Sequence, residues 1–554
     1  MEAEAILNEL DEHQRQAATA LVGPTCILAG AGTGKTRTIT HRIAYGIASG
    51  VFAANRILAL TYTNKAAAEI RLRLRQLGAG NVAVKTFHAA ALAQLEFFWP
   101  QFAGVAAPKV VESKLKLINE AASKFNIRLD AAAVRDIAAE IEWCKYSLTG
   151  VEGYLAARRG NVASIRPERV LELITSYEEI KVAQQVVDWE DVLLLTLGML
   201  QAEPRALAHV QAQYRFFTVD EYQDISPLQQ KLLDTWLGRH AELCVVGDPN
   251  QTIYSFTGAT SKYLLNFSER YPEANLIRLS RNYRSSAALV RASNQLLTNP
   301  GSELDSALPH GAQPRLVEFE NDHSEAAAVA ERIALLIEAS VKPENIAILY
   351  RTNSQSEVYE AALAERGIDY TVRGGERFFN RPEIIAATRA IRAEAAAPSD
   401  RSAFETVSTI LRSLGWTSQP VTEKGAAREK WQALNSLLNL VEELGPEASI
   451  IEVADDITER MHSQHEPTKS ALTLSTIHAA KGLEWEYLFV VGFAEGLIPI
   501  SFAKTTEEIF EEQRLAYVAV SRAKRDLQLS WAKYDSSAKW QREVSRFAKA
   551  LRLH

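Results

Sequence analysis

Residues 29–36, Ala-Gly-Ala-Gly-Thr-Gly-Lys-Thr, have the types and spacing needed to hold the phosphates of a nucleotide. They follow the apolar run 26–28 and precede residues 37–43, whose pattern predicts a helix. The glycines let the backbone turn its N–H groups toward an anion, and the helix adds the positive end of its dipole. We expect Lys35 to reach the terminal phosphates and Thr36 to ligate Mg²⁺. Taken alone, a glycine-rich surface turn is the alternative, because the strict pattern begins with glycine rather than alanine.

A second polar turn follows the apolar run 216–219 and contains Asp220 and Glu221. Acidic side chains at the carboxyl end of a buried strand face the crevice where ligands of parallel sheets bind. Asp220 can hold Mg²⁺, and Glu221 can orient and deprotonate an attacking water. An isolated acidic pair is often a solvated turn, but the Lys-Thr pair upstream favours the catalytic interpretation.

A third strand end, residues 247–258, combines a polar turn with aromatic side chains. Gln251 is placed to sense the γ-phosphate. Tyr254 and Phe256 would project the same way from an extended segment. Exposed rings so placed suit base stacking, worth about 1–3 kcal/mol per base. Core packing is the alternative for these two rings.

Two arginines complete the predicted chemistry, Arg284 in Asn-Tyr-Arg and Arg522 in Ser-Arg-Ala. An isolated arginine usually solvates the surface. Two arginines that converge on one γ-phosphate would stabilise transition-state charge and make domain closure depend on the nucleotide.

The elements that must position these residues form two α/β cores. Between residues 10 and 284, apolar β-type runs alternate with helical stretches, which predicts a parallel sheet flanked by helices. This alternation of strands and helices is interrupted at residues 89–188, resumes after 285, and is interrupted again at 382–468. Within the second interruption, residues 431–444 form an amphipathic segment that Gly445 ends. The predicted strands are 26–28, 57–61, 82–86, 216–219, 243–246, 276–279, 315–319, 346–350, 472–475, 487–491 and 527–531.

The composition is that of an ordinary soluble protein with ample core material, 47% hydrophobic and 23% charged among 554 residues. No apolar run approaches the roughly 20 residues that span a bilayer, and the acidic N-terminus is no secretory signal, so we expect a cytoplasmic protein. The three cysteines lack metal or disulfide spacing. Because the formal net charge is −7, a nucleic-acid partner would need a local basic groove.

In order along the chain, these motifs resemble those of superfamily 1 DNA helicases of the UvrD/PcrA/Rep type, over nearly the whole length. Residues 10–14 resemble the Q motif, 61–69 motif Ia, 86–88 motif Ib, 476–484 motif V, and 511–515 with 517–523 motif VI. The resemblance implies nucleotide contacts by Gln14, Ala29, Gly30, Ala31, Gly32, Thr33, Gly34, Lys35, Thr36, Arg37, Tyr283 and Glu484. It implies catalytic roles for Lys35, Asp220, Glu221, Gln251, Arg284 and Arg522, and magnesium ligation by Thr36 and Asp220. It implies DNA contacts by Tyr62, Asn64, Phe87, His88, Tyr254, Phe256 and His478.

The resemblance also implies a domain plan and an activity. The plan is two RecA-like P-loop cores, 1–88 with 189–284 and 285–381 with 469–554, carrying mostly helical insertions at 89–188 and 382–468. The activity is ATP- and Mg²⁺-dependent movement along single-stranded DNA, 3′ to 5′, with unwinding of duplex DNA in repair or replication. ATP would lie between the cores. We expect single-stranded and partly duplex DNA as partners and a monomer or weak dimer.

Departures from the family pattern qualify that expectation. Thr257 stands where the family usually has arginine, so one contact that couples DNA to the nucleotide site is missing or replaced. Gln513 and Ser521 are milder changes. The second insertion is shorter than usual, and the sequence is most similar to a short, actinobacterial-like member. We expect no accessory nuclease or DNA-binding domain after residue 551.

Two other functions stay open. A translocase would strip proteins from DNA with little unwinding, as the short second insertion suggests. A scaffold would bind DNA with a dead nucleotide site, against which the intact Lys35, Asp220 and Glu221 argue.

Overall fold

The computed structural model describes residues 3–111, 113–129, 131–157, 162, 165–352, 355–373, 382–396, 401–418, 434–435, 437–438, 441, 444, 448–463, 471–501, 503–534 and 541–551. Most of the amphipathic segment predicted at 431–444, and its stop at Gly445, lie outside these residues. Among the described residues, no helix has the length and apolarity required to cross a membrane.

Packing divides the chain into two units. The first comprises Met1–His310 and Lys504–Ser521, and the second comprises Gly311–Ala503 and Arg522–His554. The helix Thr506–Val520 therefore packs with the first unit, although the strand after it lies in the sheet of the second.

The first unit contains a parallel sheet of six strands. Across the sheet the order is Ala83–Thr86, Ile57–Thr61, Phe216–Val219, Leu243–Gly247, Thr25–Ala29 and Asn275–Leu279. Strand Ile57–Thr61 is buried throughout, because successive side chains enter opposite helical layers. Leu58 packs in one layer with Phe217, and Ile57 packs in the other with Ile27.

Helices cover both faces of this sheet. Their bounds are Glu12–Thr19, Lys35–Ala48, Asn64–Gln76, Phe87–Ala103, Trp189–Ala202, Pro204–Gln213, Pro227–Leu237 and Ala287–Asn294. The predicted boundary at residue 88 falls inside the helix Phe87–Ala103, because Ala91 and Leu95 of this helix pack in the sheet's own core.

The first insertion has its own core. The helices Lys114–Lys124, Ala131–Tyr146 and Pro167–Gln184 bury a separate group of apolar side chains. Charged groups join these helices to the start of the helix Trp189–Ala202. We call them the lysine–aspartate cluster, which consists of Lys145, Lys181, Asp188 and Asp191.

The second unit also contains a parallel sheet of six strands. Their order is Arg315–Asn321, Ala523–Tyr534, Trp485–Val490, Ile346–Tyr350, Leu472–Thr476 and Tyr370–Arg373. Helices Asp322–Glu338 and Ser356–Glu365 pack on this sheet, and helices Pro382–Ala396, Ala403–Ser413 and Ile450–Ser463 share a separate core. The predicted α/β class with two parallel sheets is confirmed. The sequence patterns missed the strand Tyr370–Arg373, whose residues are only half-buried.

Candidate nucleotide site and nucleic-acid interface

The phosphate loop, residues 29–37, connects the strand Thr25–Ala29, which lies between Leu243–Gly247 and the edge strand Asn275–Leu279, to the helix Lys35–Ala48. Gly32 and Gly34 have positive φ values of 71° and 81°, which L side chains rarely adopt. A Cβ atom on Gly34 would lie 2.7 Å from Gln14 Nε2. Both the backbone conformation and this close approach therefore require glycine.

Gln14 supports the loop from the helix Glu12–Thr19. Its Nε2 donates a hydrogen bond to Thr33 O at 3.0 Å, and its Oε1 accepts one from Asp11 N at 3.3 Å. The side chain is buried and fixed by a capping box with Asp11. The structure thus places Gln14 against the phosphate loop, and its contact with adenine stays a prediction.

The acidic pair faces the phosphate loop. Lys35 Nζ lies 3.7 Å from Glu221 Oε1, and Asp220 is buried at the end of strand Phe216–Val219, which Leu243–Gly247 separates from Thr25–Ala29. Burial, followed by the charge of Glu221, raises the pKa of Asp220 to about 7. A cation beside Asp220 would favour its charged form, so its chemistry fits a Mg²⁺ ligand. Thr36 follows Lys35 in the first turn of the helix and is half-buried.

A buried amide that the sequence analysis missed connects the acidic turn to the next strand end. Gln223 Nε2 donates to Glu221 Oε2, and Gln223 Oε1 accepts from Asp248 N at 3.0 Å. Asp248 Oδ2 in turn accepts from Gln251 Nε2 at 2.8 Å. Gln251 therefore lies in a hydrogen-bonded chain that begins at Glu221.

The Asn-Tyr-Arg turn also packs against the phosphate loop. Asn282 Nδ2 donates to Ala31 O at 2.7 Å, and Tyr283 N donates to Gly32 O at 2.8 Å. The hydroxyl of Tyr283 donates to Asp11, while 41% of the residue stays exposed. Burial and this hydrogen bond raise the pKa of Tyr283 to about 12. The turn brings Arg284, whose Nη1 donates to Ser521 O at 3.2 Å, to the same loop.

The predicted stacking aromatics are neighbours in the first unit. The rings of Tyr62 and Tyr254 stack with centroids 5.5 Å apart and an interplanar angle of 12°. Phe256 meets Tyr254 edge-on at 6.2 Å and is 49% exposed. The expectation of an extended segment is wrong, because residues Ser255–Thr257 form a 3₁₀ turn. Because the backbone bends at this turn, the rings of Tyr254 and Phe256 lie next to each other.

A cavity of about 200 Å³ opens beside these rings. Its lining residues are Thr61, Tyr62, Phe87, His88, Tyr146, Asp224, Ser226, Gln229, Thr257 and Ala259. The Thr61 hydroxyl is buried and makes no hydrogen bond among the described residues. Polar and aromatic walls of this kind suit an unstacked base.

His88 forms one wall of the cavity. Its Nε2 lies 3.1 Å from the Tyr146 hydroxyl, and its ring meets that of Trp189 edge-on at 6.0 Å. Burial lowers the pKa of His88 to about 4, so the ring is neutral at pH 7. The sequence analysis missed Tyr146 and Trp189, because neither lies in a motif that the family pattern marks. In the structure, Trp189 is 47% exposed, and an exposed tryptophan beside a cavity is the feature that draws attention to it.

Arg37 and Asn64 are the other predicted site residues of the first unit. Arg37 donates to Glu9 O at 2.8 Å and to Glu9 Oε2 at 2.9 Å. Asn64 begins the helix Asn64–Gln76, one residue after its N-cap Thr63.

The remaining predicted residues belong to the second unit. Arg522 is 2% exposed, and its Nη1 donates to Leu483 O at 3.3 Å. Glu484 pairs with Lys524 at 2.7 Å. Burial, together with the charges of Arg351 and Lys481, lowers the pKa of His478 to about 3.

The sheet order, the phosphate loop and the acidic pair that follows strand Phe216–Val219 define the class of P-loop nucleotide-binding proteins. A family model described as the UvrD/REP helicase N-terminal domain matches residues 10–272. A second, described as the UvrD-like helicase C-terminal domain, matches residues 277–420 and 386–534.

Individual relatives agree with these matches. The chain is 42% identical, over 99% of its length and 82% of theirs, to proteins named ATP-dependent DNA helicase UvrD2 from Mycobacterium tuberculosis (strain H37Rv) and Mycobacterium bovis. It is 29% identical, over 95% of its length, to ATP-dependent DNA helicase PcrA of Bacillus subtilis, of which it covers 83%. The chain therefore belongs to the UvrD/REP helicase family, and the predicted family is confirmed.

Proposed function

We propose that this protein is an ATP-dependent DNA helicase that moves along single-stranded DNA and unwinds the duplex ahead of it. The observation that carries the proposal is the presence of both sites in one unit. The phosphate loop faces Glu221, and the segment that continues from Asp248 and Gln251 leads directly to the stacking ring of Tyr254. A conformational change that the nucleotide causes at Gln251 can therefore alter how the ring of Tyr254, at the other end of the segment, stacks on a base.

The nucleotide side supports phosphoryl transfer to water. Lys35 and the N–H groups of the loop would hold the phosphates, and Glu221 would orient and deprotonate the attacking water. Magnesium, when bound, supplies positive charge for the phosphates, and Thr36 and Asp220 would hold it. Gln251 would respond to the γ-phosphate through Asp248, to which it is already hydrogen-bonded at 2.8 Å.

Arg284 and Arg522 would make the ATP hydrolysis cycle depend on both units. Arg284 belongs to the first unit and Arg522 to the second. We propose that both approach the γ-phosphate when ATP binds, so that the nucleotide favours a closed state and hydrolysis releases it. Tyr62, Tyr254 and Phe256 would then release and regrip bases in turn. Movement from 3′ to 5′ rests on the family resemblance.

ATPase and strand-displacement assays test this function. We expect single-stranded DNA to stimulate ATP hydrolysis, and a duplex with a 3′ tail to be unwound in preference to one with a 5′ tail. The Lys35→Ala variant serves as control and should lose both activities. Wild-type protein without DNA-stimulated hydrolysis would contradict the proposal and favour a DNA-binding scaffold.

The same assays separate the helicase from a translocase. Rapid DNA-stimulated hydrolysis that removes a protein block from single-stranded DNA, with no displacement from a tailed duplex, would favour the translocase. The short second insertion motivates this second candidate.

A further inference from the structure

Asp11 is bonded to two residues that are predicted to contact the nucleotide, Gln14 and Tyr283. Its N–H donates to Gln14 Oε1 at 3.3 Å, and its Oδ1 accepts from Gln14 N at 2.8 Å. Its second carboxylate oxygen, Oδ2, accepts from the hydroxyl of Tyr283, which lies 272 residues further along the chain. One carboxylate therefore connects a buried amide to an exposed ring beside the phosphate loop.

The ring of Tyr283 is anchored at both of its ends. The backbone N–H of Tyr283 donates to Gly32 O at 2.8 Å, and the hydroxyl donates to Asp11. Arg281 Cζ lies 5.7 Å from the centroid of the ring, over one of its faces. Because 41% of Tyr283 stays exposed, we assign the opposite face to a ligand. A ring held in this way has little freedom left to lose when a ligand binds.

An exposed aromatic ring beside a phosphate loop suits the base of a nucleotide. Since Tyr283 is bonded to the loop itself, we expect the base of a nucleotide in that loop to stack on this ring. Stacking on an aromatic side chain raises affinity by about 5- to 150-fold per base. Holding the ring in place before binding saves the cost of immobilising one side chain, which is about 2- to 12-fold in affinity.

We propose that Asp11 is a positioning residue for nucleobase recognition, because its Oδ2 holds the Tyr283 ring in the orientation that stacks on the base of ATP. The inference rests on the proposed function, since it takes ATP as the nucleotide. The alternative is that Asp11 serves only as the N-cap of the helix Glu12–Thr19, a role that it performs through Oδ1. The two roles use different oxygen atoms and are therefore separable.

Two variants break the hydrogen bond from its opposite sides. Asp11→Ser keeps a good N-cap residue and removes Oδ2, whereas Tyr283→Phe removes the hydroxyl and keeps the ring. Glu12→Ser is the matched control, because it removes the exposed carboxylate of the neighbouring residue in the same turn.

Steady-state kinetics separate positioning of the base from support of the phosphate loop. ATP hydrolysis with single-stranded DNA gives kcat and the KM for ATP. Inhibition by ribose 5′-triphosphate, which has the same phosphates and sugar but no base, reports binding without stacking. We expect Asp11→Ser and Tyr283→Phe to raise the KM for ATP by about 2- to 12-fold. The kcat and the inhibition constant of ribose 5′-triphosphate should keep their wild-type values.

The double variant and the control complete the test. Combining Asp11→Ser with Tyr283→Phe should raise the KM no further than the more severe single variant, because both remove one bond. Glu12→Ser should keep the wild-type KM. Thermal unfolding of each variant checks the fold, and if Asp11→Ser does not fold, Tyr283→Phe decides the result alone.

Three outcomes would overturn the inference while leaving the proposed function intact. They are a wild-type KM for ATP in both single variants, an equal loss for ATP and ribose 5′-triphosphate, and an equal loss in Glu12→Ser. A wild-type protein that binds ATP no better than ribose 5′-triphosphate would likewise remove the stacking interaction that Asp11 is proposed to support. A wild-type protein that does not hydrolyse ATP would instead refute the proposed function itself.

Discussion

Glu221 shows how a single carboxylate acquires a role from its surroundings. Its backbone adopts a positive φ of 52°, and its side chain is divided between Lys35 and Gln223. A non-glycine residue in this conformation is held there by its neighbours, because the left-handed region costs about 1–2 kcal/mol. The turn thereby points the Glu221 carboxylate at the phosphate loop instead of into solvent.

Replacing Glu221 by glutamine tests the proposed role directly. Glu221→Gln keeps the size of the side chain and removes the base, so ATP binding should persist while turnover falls by about 10²–10⁴. Steady-state hydrolysis and nucleotide titration measure the two effects. Glu242→Gln is the control, since Glu242 pairs with Arg215 beside the start of strand Leu243–Gly247, at the opposite end from Asp248. Wild-type-like turnover in Glu221→Gln would contradict the assignment.

At the scale of elements, the lysine–aspartate cluster determines how the first insertion meets its core. Lys145 Nζ lies 2.6 Å from Asp188 Oδ2, and Lys181 Nζ lies 3.0 Å from the same atom. Asp188 also caps the helix Trp189–Ala202 through Asp191 N. Next to Lys145 in the helix Ala131–Tyr146 stands Tyr146, a wall of the cavity beside Tyr62. The cluster thus holds that wall against the core.

The lysine–aspartate cluster predicts that the conservative substitution Asp188→Asn lowers the stability of the protein. Asp188→Asn keeps a good N-cap residue but removes the carboxylate that Lys145 and Lys181 share, leaving them Asp191 and Glu178, so we expect a loss of about 1–3 kcal/mol in the free energy of unfolding. Denaturant titration measures the change. Glu172→Gln in the same insertion should change stability by less than about 0.5 kcal/mol, because exposed ion pairs contribute little. Equal stability of the two variants would show that the buried charges are not stabilising.

At the scale of the whole molecule, the chain passes between the two units beside the predicted catalytic residues. Ser521 belongs to the first unit, and Arg522, the next residue, belongs to the second. We propose that ATP binding changes the relative position of the units and thereby acts on the peptide between these residues. This connection is a covalent reason to expect that closure and catalysis are linked.

Substitution of Arg522 tests that expectation. By analogy with other arginine fingers, Arg522→Lys and Arg522→Ala should reduce turnover by about 10³–10⁵ and leave the affinity for ATP much less affected. Single-turnover hydrolysis and nucleotide titration separate the two quantities. Arg525→Ala is the control, because the side chain of Arg525 is 69% exposed. Turnover within about tenfold of wild type in both Arg522 variants would remove Arg522 from the catalytic set.

Local patterns in the amino-acid sequence were enough to predict the family, the phosphate loop, the acidic pair and most strands of the two sheets. These features follow from local rules: glycine spacing, apolar runs of strand length, and polar residues immediately after them. Hence strand 57–61 was predicted with its observed bounds, Ile57–Thr61. The half-buried strand Tyr370–Arg373 lacks a continuous apolar run and was missed for that reason.

Contacts between distant residues could not be predicted and became known from the packing of the folded chain. Gln14 against Thr33, Tyr146 against His88 and Ser255 against Glu511 join positions between 19 and 256 residues apart. No local periodicity encodes such pairs, because they arise when separate elements pack on a common sheet. The bend at Ser255 likewise replaced the extended segment expected from alternating aromatic residues; Thr257 N donates to Tyr254 O within the turn, and Ser255 N donates to Glu511 of the helix Thr506–Val520.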